Sequence, residues 1–198
     1  MDFYAQLLDH IRRHITLTPR EEEQIRASFQ VKRLPKRAFL LQEGNFSFYE
    51  NYVVKGCLYS YALDDQGNKH ILHLAIEDWW INDFESFLKE IPASRYIVAL
   101  EDAIILQINK ENLTSLLKHI PAFNHFFLVL HQNGTIAQDR RILHNIQLSG
   151  AERYEWFVKH YPFFVERIPQ KYIASYLGIT PEFLSSIRKR AGRKNKSS

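Results

Sequence analysis

The sequence predicts an α+β chain, with helices at both ends and an antiparallel β domain between them. Three observations carry this. Apolar residues recur at three- and four-residue steps near the start and after Asn109, but at two-residue steps from Val31 onward. Asp64-Asp65-Gln66-Gly67-Asn68 joins two β-rich runs with hairpin-turn chemistry and no helix between them. Near the C-terminus, Gly178 and Pro181 divide a helical pattern that otherwise runs on to a basic end.

In chain order, Tyr4, Leu7, Leu8, Ile11 and Ile15 mark one face of a first helix. Thr18-Pro19-Arg20-Glu21 then supplies a cap hydroxyl, a proline at the first helical position and a glutamate that reaches back, which is a capping box. Strands are expected at 38–42, 52–55, 57–63, 70–76, 96–100 and 103–108, a pattern that favours a sandwich or barrel. Helices follow at 111–119, 121–146 and 151–160, with Pro121 starting the second. The run of Phe123, Phe126, Phe127, Leu128, Val129 and Leu130 carries more apolar surface than one helix face needs. Part of it should be covered by the β domain or by a second copy of the chain, so a homodimer through this helix is expected.

Bulk properties narrow the class. With 198 residues, 45% of them hydrophobic, the chain can bury a core, and a medium domain plus a small one is expected. The single cysteine, Cys57, excludes an internal disulfide and any Cys-rich metal centre, and it fits a reducing, cytoplasmic setting. No apolar run approaches the roughly 18 residues of a membrane span, and the opening MDFYAQLLDHIRRHI lacks a signal-peptide core. The net charge of +4 is unevenly spread: from Gly150 onward ten Lys and Arg face four Asp and Glu, +6, leaving −2 before it. Arg188, Lys189, Arg190, Arg193, Lys194 and Lys196 form a cluster of the kind that neutralises phosphates.

Gln170 to Arg190 reads as two helices joined by a tight turn. Ile173, Leu177, Ile179, Leu184 and Ile187 supply the apolar positions, Ala174 lets the backbones approach, and Gly178 suits a positive φ. Thr180 caps the second helix, Pro181 starts it, and Glu182 favours the positive end of its dipole. This set resembles a helix-turn-helix DNA-binding motif. It implies that Pro181, Glu182, Ser185 and Ser186 face bases and that Gln170, Lys171, Arg188 and Lys189 position the backbone, with Thr180 and Arg190 in the same DNA-binding set.

ENYVVKGCLYSYALDDQGNKHILHLA looks like central β-hairpins, and LEDAIILQINKENLTSLLKHIP like the end of a β-roll and its first following helix. Together with the C-terminal motif, they make the chain resemble the Crp/Fnr superfamily of bacterial transcription regulators over nearly its whole length. The resemblance implies an antiparallel double-stranded, jelly-roll-like β-roll, a long dimerisation helix and a C-terminal winged helix-turn-helix. It divides the chain into a sensor domain at 1–110, a linker and dimerisation helix at 111–147, and a DNA-binding domain at 148–198. The implied partners are double-stranded DNA, a second copy of the chain and a small-molecule effector, with no cofactor and no membrane.

The family's cyclic AMP binders use Gly-Glu and then Arg-Ser or Arg-Thr around a short helix. Here DWWINDFESFLKEIPASRYIVAL places Asn82-Asp83 and Ala93-Ser94 at those points, with Arg95 one residue further on. An effector other than cyclic AMP is therefore implied. Its pocket would involve Trp80, Asn82, Asp83, Ser94 and Arg95, with Trp79, Phe84 and Phe87 as further apolar lining. The resemblance also places a base-reading arginine where this chain has Ser186.

An enzyme is not expected. A cupin-like metal site would use His70 and His73, but a spacing of three sends them to opposite faces of a strand, and no metal site is expected. No Gly-rich phosphate loop, nucleophile elbow or carboxylate pair with a clear acid and base stands out. The remaining alternative is a β-roll module that binds a ligand or a protein without reading DNA.

Overall fold

The computed structural model describes residues 2–194. Helix α1 (Phe3–Arg12) is capped by Asp2, and α2 (Pro19–Ser28) carries the expected capping box between Thr18 and Glu21. Seven strands follow: β1 (Gln30–Leu34), β2 (Phe39–Leu41), β3 (Tyr49–Lys55), β4 (Leu58–Leu63), β5 (Lys69–Ala75), β6 (Tyr96–Ala99) and β7 (Ala103–Asn109). A short helix, α3 (Phe84–Lys89), interrupts them before β6. The rest is helical: α4 (Lys110–His119), α5 (Pro121–Gln147), α6 (Gly150–His160), α7 (Pro162–Arg167), α8 (Gln170–Tyr176) and α9 (Pro181–Lys194).

The strands pair antiparallel in two sheets, ordered β1-β7-β3 and β2-β6-β4-β5. Both sheets bury apolar side chains on both faces, and the two-residue alternation sends neighbouring side chains to different cores. Between the sheets lie Leu34, Val53, Leu58, Ile97, Ala99 and Ile105. On the outer face of the three-stranded sheet, Tyr52, Val54, Leu106 and Ile108 meet α1, α2, α4 and the start of α5. On the outer face of the four-stranded sheet, Cys57, Tyr59, Tyr61, Ile71 and Val98 share a core with α6 to α9.

The connection from β5 to α3 links these layers. Asp78 adopts φ 69° and donates its N–H to the Val53 carbonyl. Its carboxylate accepts from the Tyr52 hydroxyl at 2.5 Å, from Gln6 at 3.1 Å and from Arg13 at 2.8 Å, tying α1 to β3. After this turn Trp79 packs on Tyr161 and Phe164, whereas Trp80 packs on Phe29, Tyr52 and Phe126.

Three elements differ from the sequence expectation. Strand β1, helix α3 and helix α7 come from short segments with little periodicity to declare them. The expected wing is missing among the described residues, since every element after α5 is a helix. Between α6 and α8, Pro162 opens α7, and Phe164 is buried against Phe157 with ring centroids 5.9 Å apart.

One buried carboxyl makes the stability of this fold depend on pH. Glu50 is 2% exposed, and its Oε1 has no hydrogen-bond partner. Burial pushes its carboxyl from the ordinary 4.5 up to about 8, with the Asn82 amide opposing. A folded-state value raised in this way contributes stability that is fully present below about pH 4.5 and is lost as pH rises through about 8. Glu50→Gln should therefore match the wild type near the lower limit and exceed it by roughly 3 kcal/mol above the upper one. Urea denaturation across that window measures the difference, and two parallel pH profiles would contradict it.

Candidate nucleic-acid interface and effector pocket

Helices α8 and α9 are built by local rules. Ala174 is fully buried at their crossing, with Ile173, Leu177 and Leu184 around it. Gly178 takes φ 66°, and the Ile179 N–H donates back to the Ala174 carbonyl at 3.0 Å to close the turn. The Thr180 hydroxyl accepts from the Phe183 N–H at 3.2 Å, so the cap forms where the sequence places it.

The sequence-predicted contact residues divide between the start of α8 and the cap and body of α9. Thr180, Pro181, Glu182, Arg188, Lys189 and Arg190 are exposed, and Ser185 and Ser186 are half-buried. Gln170 and Lys171 are exposed at the start of α8. The Ser186 hydroxyl is engaged within the helix, donating to the Phe183 carbonyl at 2.8 Å. The side chains of Arg193 and Lys194, and the whole of Lys196, lie outside the described residues.

Behind this face, α8 is fastened to edge strand β5. The Ser175 hydroxyl accepts from the Ile71 N–H at 3.0 Å and donates to the Lys69 carbonyl at 3.1 Å. Arg141 of α5 donates to the Ile71 and Leu72 carbonyls and lies over the Tyr176 ring at 4.2 Å. Tyr172 stacks on Tyr59 with ring centroids 4.7 Å apart. At the other end of the seam, Arg167 is held by Glu77 at 2.7 Å and by Glu101 at 2.7 Å. Burial would raise Glu77, but the Arg167 guanidinium and the Gly56 N–H hold it below its ordinary value. Sequence reasoning missed Arg141, Arg167 and Ser175, because their partners lie 66 to 106 residues away.

The expected effector residues gather only in part. Asp83 is 1% exposed, caps α3, and accepts from the Ser86 N–H at 3.3 Å and the Ser94 N–H at 3.1 Å. Arg95 Nε stands 3.2 Å from the same carboxylate as an ion pair without hydrogen-bond geometry. The donors around the start of α3 are thus occupied by the chain's own anion, and an incoming phosphate would meet a negative charge there. Asn82 lies half-buried beside Glu50, and Trp80 belongs to the aromatic layer under α5.

The apolar lining expected from Trp79, Trp80, Phe84 and Phe87 does not come together. Trp79 and Trp80 diverge, Phe87 fills the core, and Phe84 stacks on His131 of α5 at 4.2 Å. A cavity of about 480 Å³ lies apart from Trp80, lined by Phe46, Ser47, Phe48, Phe87, Glu90 and Lys110. His70 and His73 also separate, the first paired with Asp64 at 2.9 Å and the second beside Trp79.

Arg167→Met should lower stability by roughly 1–2 kcal/mol, a value discounted for a guanidinium that is partly solvated. Urea denaturation tests this, and a variant as stable as the wild type would show that the paired carboxylates are satisfied by water alone.

No protein-family model and no curated protein matches the sequence. Solved structures do match. FixK2 from Bradyrhizobium japonicum aligns at 15% identity and a TM-score of 0.71, over 84% of this chain and 86% of that one. The c-di-GMP responsive global regulator CLP of Xanthomonas campestris aligns at 14% identity and a TM-score of 0.69, over 90% and 93%. The catabolite activator protein of Thermus thermophilus aligns at 19% identity and a TM-score of 0.56, over 90% and 85%. The chain therefore has the fold of the Crp/Fnr-type transcription regulators.

Proposed function

We propose that the chain is a DNA-binding transcription regulator of the Crp/Fnr type, a homodimer that reads a two-fold related operator through residues 180–190. The observation that carries this reading is α9 itself. Its start is capped and accessible, its outer face is polar and then basic, and its inner face is spent on the α8 crossing. On this reading Glu182 accepts from a cytosine amino group, and Arg188, Lys189 and Arg190 neutralise phosphates. On this reading residues 1–110 sense, 111–147 couple the two copies, and 148–198 bind DNA.

Dimerisation is supported by α5, which leaves Leu128, Ile136, Ile142, Leu143 and Ile146 between 50% and 75% exposed along its length. Such a stripe on a 27-residue helix is costly in water and is relieved by a matching helix. The effector, where one acts, is not cyclic AMP, because Asp83 occupies the donors a cyclic phosphate would need.

Selection from random duplex DNA should return a palindromic site, and affinity should fall steeply with rising salt. Lys189→Ala with Arg190→Ala should weaken binding to all duplexes. It should also flatten the slope of log affinity against log salt by about 0.9 for each phosphate that is no longer neutralised. Glu182→Ala should instead change which sequences are recovered. Unchanged anisotropy titrations for all three substitutions would refute the proposal. Separately, Ile136→Asp with Ile146→Asp should convert a dimer to a monomer in sedimentation equilibrium, and an unchanged mass would remove α5 as the dimer seam.

A further inference from the structure

The cavity at the C-terminal end of α3 shares only Phe87 with the residues expected to hold an effector. Its volume of about 480 Å³ falls within the roughly 300–1,000 Å³ of small-molecule sites. Buried Phe87 and two exposed rings, Phe46 and Phe48, line it together with Ser47, Glu90 and Lys110.

The two exposed rings are held in place by the backbone around them. Phe46 is 44% and Phe48 65% exposed, and they lie nearly parallel with centroids 6.0 Å apart. Gly44 donates its N–H to the Ala93 carbonyl at 2.9 Å, and Ala93 returns one to the Asn45 carbonyl at 2.7 Å. The Ser47 N–H donates to the Ser86 hydroxyl at 3.0 Å, which itself donates to the Ile91 carbonyl at 2.6 Å. The segment carrying both rings is thus tied to α3 and to the chain after it. Apolar surface fixed in water in this way carries a hydration cost that a bound apolar group relieves.

A charged pair stands at the same cavity. Glu90 ends α3 with φ 55°, a conformation in which glycine would close the helix without strain. Its carboxylate accepts from Lys110 Nζ at 2.6 Å, with the side chains 71% and 45% exposed. Lys110 also donates to the Leu88 carbonyl at 2.9 Å, which keeps the ammonium at this end of α3 without Glu90. An ion pair so exposed is worth little, so another carboxylate can displace Glu90 at small cost.

We infer that this cavity binds a small apolar carboxylic acid, its hydrocarbon body against Phe46, Phe48 and Phe87 and its carboxylate accepting from Lys110 in place of Glu90. One ammonium beside an otherwise mainly apolar lining suits a single negative charge on a hydrocarbon body and disfavours a polyanion. Binding of the acid requires neither DNA nor the DNA-binding reading.

The test titrates the full chain with octanoate, phenylbutyrate and octanol by isothermal titration calorimetry. At least one acid should bind more tightly than octanol, and the tighter of the two tells an aliphatic from an aromatic body. Phe48→Ala should weaken the acid about tenfold through lost apolar contact, and Phe48→Leu should weaken it less. Lys110→Met should weaken the acid about fivefold and leave octanol unchanged, the scale of an exposed charge pair. Glu90→Gln should instead strengthen the acid, because it removes the competing carboxylate, an effect that a purely structural Lys110–Glu90 pair would not produce. Failure of both acids to bind, equal affinity for octanol, or an affinity untouched by Phe48→Ala overturns the site. A Phe48→Ala variant that falls from dimer to monomer in sedimentation equilibrium also overturns it, since the rings would then be covered by a second copy of the chain.

Discussion

The outer face of the four-stranded sheet is apolar, and the rest of the molecule is arranged to cover it. Tyr59 and Tyr61 on β4, Ile71 on β5 and Val98 on β6 cannot remain in water at acceptable cost. Helices α6 to α9 supply the cover, so the helix-turn-helix shares one core with the β-roll. Displacing it would expose both sides of that core. Any effector that reoriented α9 would have to offer the uncovered tyrosines another partner or move the sheet and helices as one body.

Covering the sheet also settles its edge. β5 ends the four-stranded sheet and would leave N–H and C=O groups open to another chain. Ser175 and Arg141 take up the groups of Lys69, Ile71 and Leu72 instead. The Arg167 pairs lie at the rim and are partly solvated, so they orient the seam more than they stabilise it. Stacking of Tyr172 on Tyr59 adds about 1 kcal/mol beyond burial, and the larger contribution is the apolar area itself.

The start of α3 follows a similar economy. Asp83 brings a carboxylate to donors that would otherwise await an anion, and Arg95 balances it from outside the strand. In sequence these residues looked like a displaced ligand set. In the fold, Asp83 accepts from the Ser94 N–H and pairs with Arg95 by charge alone, while the aromatics beside them pack into separate layers. Trp79 and Trp80 show why: the backbone turn at Asp78 sends consecutive side chains to opposite sides of the β-roll, which composition and spacing cannot show.

Wherever the physics is local, the sequence by itself determined the outcome. The capping box at Thr18, the hairpin turn at Asp64, the start of α5 at Pro121 and the α8 to α9 turn at Gly178 each depend on residues within a few positions of one another. The six expected strands appear because alternation of apolar residues is itself a local signal. Only the tertiary structure decided which apolar face met which helix, that a short helix α7 stands between α6 and α8, and that Arg167 belongs with Glu77 and Glu101. Phe183 stands between the two cases. Its spacing sets it one turn before Ile187 on the same helix face, but only the contact with Gly150, distant in sequence, shows that part of the ring packs on α6. Contacts across such separations depend on where the whole chain closes, and no short stretch of residues encodes that.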